Sequence, residues 1–341
     1  MIAGFCCELY KIDGILFIIY WYRPMYFPVS DIHIFPAIPI IVGFIISFFT
    51  SMGGVAGAFL LLPFQVSVLG FISPSVSATN LVFNIFATPG GIYRYIREGR
   101  MAWPLAWIII GGTLPGILIG VFIRIRYLPD PGDFKVFIGL VLLCVAIRLL
   151  YDLTPMAHKD GSKVQAFEKR FKEIWSRRIR EGKDNLDAEG AIRTVAFSWK
   201  RYSYALYGET FSLNILGLLS LTFVVGIIGG IYGIGGAAFI APFLITILDL
   251  PVYTIAGAAL LGTFMTSIAG VISYIVIAPV YEYTGLSIVP DWGLGALFGI
   301  GGFLGVYCGA RLQKYFPADA IKFILGSSLM LLSLTYILNI F

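Results

Sequence analysis

Residues Gly229–Leu244 read GGIYGIGGAAFIAPFL: five glycines and a proline inside an apolar run with no charged residue from Thr210 to Leu248. A run of this length is expected to cross a bilayer, since a spanning helix needs about 20 apolar residues. Glycine and proline are the poorest helix formers, so the run is expected to break at Gly233-Ile-Gly-Gly236. Within a bilayer, irregular backbone survives only where protein buries it or where it lines a wet cavity. The stretch is therefore read as a discontinuous membrane helix.

The rest of the chain supports that reading. Its 341 residues are 58% hydrophobic and 13% charged, with a mean hydropathy of +0.88. No Asp, Glu, Lys or Arg occurs at 35–93, 101–123, 252–281 or 323–341. The expected class is an all-α polytopic membrane protein, without the short alternating segments of a β-barrel. The net charge of +5 sits in loops and gives no reason to expect nucleic acid as a partner. Cys6, Cys7, Cys144 and Cys308 lack metal-ligand spacing, and His33 and His158 are the sole histidines. No metal, cofactor or enzymatic nucleophile–base pair is expected.

The glycine motif has a weaker copy. At a shift of 179 positions, Gly54 meets Gly233, Gly57 meets Gly236, Pro63 meets Pro242, Leu81 meets Leu260 and Gly91 meets Gly270. At a shift of 189, Trp103 meets Trp292, and Gly112, Gly116 and Gly120 meet Gly301, Gly305 and Gly309. Two homologous repeats of about four to five segments each are expected, at 35–151 and 210–341. An interfacial or anchoring segment (1–34) precedes them, and a basic linker (152–209) with 12 Lys or Arg against 9 Asp or Glu joins them. Within the linker, Val164, Phe167, Phe171, Ile174, Trp175 and Ile179 recur at helical spacing among basic residues, the pattern of an amphipathic surface helix. Basic loops belong on the cytoplasmic side. That rule favours inverted repeats with helices broken at the glycines over parallel four-helix repeats.

Discontinuous helices at matching positions of two repeats point to a transporter site. The candidate residues are Gly54 and Gly57 in the first motif and Gly233, Gly235 and Gly236 in the second. Thr79, Asn80 and Asn84 on the helix after the first motif, and Thr263 and Ser267 after the second, would complete a ligand's shell or else hydrogen-bond between helices. Half-helix N-termini offer unpaired N–H groups and a positive dipole end, which suits an anion. Arg94, Arg124, Arg148 and Lys135 all fall near span ends, so the site is expected to work without a full positive charge. Any proton would travel with the substrate or by way of Tyr93, Tyr95 or Tyr274. The glycines at 112, 116 and 120 and at 301, 305 and 309 form regular stripes, read as helix-packing devices.

With GTF following at Gly262 and TNL at Thr79, these motifs resemble the TauE/SafE family of sulfite and organosulfur exporters, as does GIGGFLGVYCGARLQKYFP at Gly299–Pro317. The chain departs from the family pattern at Ala56 and Ala237. The resemblance covers nearly everything from Phe35 onward except the linker. It implies a multi-pass carrier of the inner (cytoplasmic) membrane for a small sulfur-containing anion such as sulfite, thiosulfate or a short organosulfonate. A passive anion channel and a non-transporting scaffold stay open as alternatives, and so does a homo-oligomer.

Overall fold

The computed structural model describes residues 24–52, 56–97, 101–151, 153–154, 193–198, 201–206, 209–236, 240, 244, 252–312 and 318–338. Its helices are α1 (Ala37–Met52), α2 (Ala58–Ser67), α3 (Ser75–Arg97), α4 (Trp103–Arg126), α5 (Pro131–Tyr151), α6 (Ile215–Tyr232), α7 (Val252–Tyr281), α8 (Trp292–Leu312) and α9 (Ala318–Ile337). Five segments within α4 to α8 are long and apolar enough to cross a membrane. Helix α3 has the length but not the hydropathy, because Ser75, Ser77, Thr79, Asn80, Asn84 and Thr88 interrupt its apolar residues. All six are buried, for α7 and α8 pack against α3 and shield them from lipid. A helix too polar for lipid thus forms the centre of the bundle.

The expectation of an all-α chain is corrected in two places. A β-hairpin, β1 (Met25–Phe27) and β2 (Ile32–Ile34), turns through Asp31, which has φ +55°. Ser30 donates from its backbone nitrogen and its hydroxyl to Asp291 Oδ2, at 3.2 and 2.9 Å. Asp291 also caps α8, its Oδ1 accepting from Leu294 N at 3.1 Å, a bond worth about 1 kcal/mol. The second departure is an antiparallel sheet in the order β3 (Arg193–Phe197), β4 (Arg201–Leu206), β5 (Glu209–Asn214). Its residues lie in and just after the expected linker. Composition hid the alternation in RYSYAL, where Tyr202 and Tyr204 share one face, stack at 5.6 Å and are fully buried. Asn214 ends the sheet and caps α6, its side chain accepting from Leu216 N and Gly217 N. The amphipathic stretch 164–180 lies outside the described residues.

The glycine stripes bring helix backbones into contact. A Cβ at Gly116 would lie 2.9 Å from Gly226 Cα on α6, and one at Gly120 would lie 2.8 Å from Gly230 Cα. On the other side, Gly301, Gly305 and Gly309 of α8 rest on Ile40, Phe44 and Phe48 of α1. The direction of the helices follows from such contacts. Leu81 on α3 touches Gly270 on α7, while Leu260 on α7 touches Gly91 on α3, so these two run antiparallel. Gly139 meets Tyr336 and Gly326 meets Leu149, so α5 and α9 run antiparallel as well.

Candidate functional site at the glycine breaks

Helix α6 stops because Gly233 turns left-handed at φ +82°, with its N–H bonded to Gly229 O at 2.9 Å. Ile234 N donates to the same carbonyl, and Gly235 is again left-handed at φ +81°. This C-terminal cap leaves the Gly233 and Ile234 carbonyls pointing out of the helix. Two asparagines of α3 receive them: Asn80 Nδ2 donates to Gly233 O at 2.9 Å, and Asn84 Nδ2 donates to Ile234 O at 2.8 Å. Asn80 and Asn84 stand one turn apart, the spacing needed to reach successive carbonyls of a chain passing alongside.

The first break reaches the same place. Asn80 Nδ2 also donates to Ala58 O at 3.1 Å, at the start of α2, and Gln65 Nε2 donates to Asn80 Oδ1 at 3.4 Å. Pro63 has no N–H, so the Phe59 carbonyl loses its helical donor. The Tyr232 hydroxyl supplies one from the last residue of α6, at 3.0 Å, while its ring packs on Phe59. Both breaks therefore meet at Asn80, joined by side chains that satisfy backbone freed by glycine and proline.

The remaining candidates divide. Gly57 immediately precedes α2, where a Cβ would lie 2.8 Å from Ser47 Oγ. A Cβ at Gly235 would lie 2.9 Å from Ser267 Oγ and from Thr263 Cγ2, so Thr263 and Ser267 line the second break. Gly236 N donates to Thr266 Oγ1 at 3.0 Å. Thr79 faces elsewhere: its hydroxyl accepts from Asp291 N at 2.9 Å. Thr263 donates to Ala259 O within its own helix. Gly54 lies outside the described residues.

Reading the sequence missed Gln65, Tyr232 and Thr266, although Gln65 stands out as a lone amide in an apolar helix. It also misjudged the reach of Arg124. That residue does lie in the last turn of α4, yet its side chain is fully buried, with Nε 3.3 Å from Ser77 Oγ, because α3, α7 and Phe134 of α5 close around it. A Cβ at Gly233 would lie 2.6 Å from Ser77 Cα, so this arginine stands one side chain away from the break.

Among the described residues, several buried polar atoms at or beside the breaks have no hydrogen-bond partner: Ser47 Oγ, Gln65 Oε1, Ser267 Oγ and Arg124 Nη2. Such groups are rare in folded proteins and mark places where a polar ligand, water or ion fits. Among the described residues, acidic groups within helices are confined to first turns, at Asp133 and Asp319. Among the described residues the layer is uncharged apart from Arg124, and its side chains are amides and hydroxyls. Among the described residues it offers no carboxylate to a cation.

Comparison with known proteins agrees in class. Residues 39–336 match the family described as Sulfite exporter TauE/SafE. The chain is similar to the probable membrane transporter protein YunE of Bacillus subtilis (strain 168), at 23% identity over 281 residues, covering 80% of this chain and 88% of that one. It is also similar to the probable membrane transporter protein YdhB of the same organism, at 28% identity over 126 residues, covering 36% and 46% of the two chains. No solved structure matches.

Proposed function

Because the chain belongs to the TauE/SafE family of membrane transporters, and is thus a multi-pass protein of the cell membrane, we propose that it carries a small sulfur oxyanion across that membrane by alternating access around its two broken helices. The observation that carries this reading is the meeting of both breaks at Asn80, beside Gln65, whose Oε1 is buried with no hydrogen-bond partner among the described residues. Sulfite, thiosulfate and a short sulfonate fit its chemistry, being small, anionic and rich in acceptor oxygens.

Helix directions support an inverted duplication. Helices α3 and α7 occupy equivalent places in the two halves, as do α5 and α9, and each pair runs antiparallel. The contacts Leu81–Gly270 and Leu260–Gly91 exchange when the halves are exchanged. The pairing of α1 with α8 likewise answers that of α6 with α4. Halves related in this way can rock against each other about the layer where they meet.

Two measurements test the proposal. In proteoliposomes, external sulfite or thiosulfate should drive saturable counterflow of the labelled anion. Flux that rises linearly with concentration and shows no counterflow makes the protein a channel instead. For topology, a cysteine at Thr284 in a background lacking Cys6, Cys7, Cys144 and Cys308 should react with an impermeant reagent from outside. One at Thr154 should react only after permeabilisation. A cytoplasmic position 284 rules the inverted arrangement out.

A further inference from the structure

Arg124 is a buried charge with no carboxylate beside it among the described residues. Its Nη1 donates to Leu128 O just beyond α4, its Nε donates to Ser77, and its Cζ lies 3.5 Å from the centroid of the Phe134 ring. These contacts leave Nη2 unpaired. The Tyr274 hydroxyl, on α7, is fully buried next to Ser77 and Arg124. Capping α4 and covering Phe134 account for part of this arrangement, since arginine near a helix C-terminus is favourable. They do not account for a buried guanidinium nitrogen left unused beside two hydroxyls carried by other helices. An unpaired buried charge costs several kcal/mol unless something compensates it.

We propose that Arg124, Ser77 and Tyr274 form an anion subsite adjoining the Gly233 turn, which takes one oxyanion of the transported class on its way to or from the breaks. This inference rests on the anion-carrier reading above. The guanidinium supplies charge and a planar pair of donors, and the two hydroxyls supply donors from α3 and α7. A single oxyanion would link α3, α4 and α7, since α7 packs against both other helices and Arg124 of α4 reaches Ser77 of α3. Full burial of all three side chains favours a free anion over a lipid phosphate, although the chemistry of recognition is the same.

The test uses the full chain purified in neutral detergent, with melting temperature followed as sulfite or thiosulfate is titrated. Losing a hydrogen bond from a charged donor should raise the half-saturating concentration about tenfold or more in Arg124→Gln. Losing a neutral one should raise it about threefold in Tyr274→Phe. Arg126→Gln, at an exposed neighbouring position, should leave it unchanged. A structural role alone would lower the melting temperature without anion and leave half-saturation where it was. That result, with the wild type responding, overturns the subsite and spares the carrier. If Arg124→Gln does not fold, Arg124→Lys and Tyr274→Phe decide by the same criterion. A wild type unresponsive to every sulfur oxyanion overturns the carrier reading and the subsite together. A shift that depends on Arg124 with phosphatidylglycerol, and not with the oxyanions, makes the occupant a headgroup and overturns the transport role.

Discussion

Gly233→Ala should cost far more folded protein than Gly70→Ala, although both replace a glycine of positive φ. The two positions have φ of +82° and +69°. An L-residue held in the left-handed region pays about 1 kcal/mol. At Gly70 nothing lies within 4 Å of the new methyl, so that conformational penalty is the whole effect. At Gly233 the methyl would sit 2.6 Å from Ser77 Cα, Cβ and O, so α3 and the break must separate. Separation stretches the Asn80 bond to Gly233 O and disturbs the Arg124–Ser77 contact in the same movement. The expected result is a modest drop in melting temperature for Gly70→Ala. For Gly233→Ala, monodisperse protein on size exclusion should be largely lost, or any that survives should not transport. Equal behaviour of the two variants would mean that the close approach of α3 places no constraint on the break.

That contrast marks what could be read in the sequence. The glycine-rich motif, its apolar flanks and the charge-free runs identify a polytopic helical protein, because bilayer length and the cost of unpaired backbone leave few alternatives. Glycine stripes were legible for the same reason. Spacing of four puts small residues on one helix face, and Gly112, Gly116 and Gly120 do lie against α6. The β3–β4–β5 sheet was not legible. It lies in a region of high charge, and only the alternation of Tyr202 and Tyr204 in a short strand betrays it.

At the site, residue types were legible and their partners were not. Nothing in TNLVFN says that Asn80 and Asn84 of α3 would meet carbonyls some 150 positions later, since that pairing depends on the register of α3 against α6. Arg124 is the sharper case. Its place at the end of an apolar run suggests a solvated or headgroup-facing charge, the usual fate of arginine there. Burial was decided by Phe134 and Tyr274, from two other helices, and no local pattern records them.

The largest pH-dependent effect is expected for Asn80→Asp. The native amide donates to two carbonyls, Ala58 O and Gly233 O, and accepts from Gln65. Asn80→Ala strands these groups in a buried layer, at about 1–3 kcal/mol for each one left unsatisfied. An ionised carboxylate keeps the shape and still does worse. It can only accept, so both carbonyls would face a negative charge inside a low-dielectric layer. Protonation returns one O–H donor, which can serve one of the two carbonyls. Burial and the facing carbonyls therefore raise the new carboxyl's pKa above its unfolded value of about 3.9. The folded state then binds the proton more tightly than the unfolded state, so stability is retained at low pH and lost as pH rises through the folded pKa. The melting temperature of Asn80→Asp, relative to wild type, should fall steadily from pH 5 to pH 8, while Asn80→Ala shows a constant deficit. Counterflow by Asn80→Asp should follow the same curve, because an anion entering beside a fixed negative charge is repelled as well. A variant as stable as the wild type at every pH would show that Asn80 is not needed to hold the two breaks together. Its amide would then be free to serve the transported anion directly.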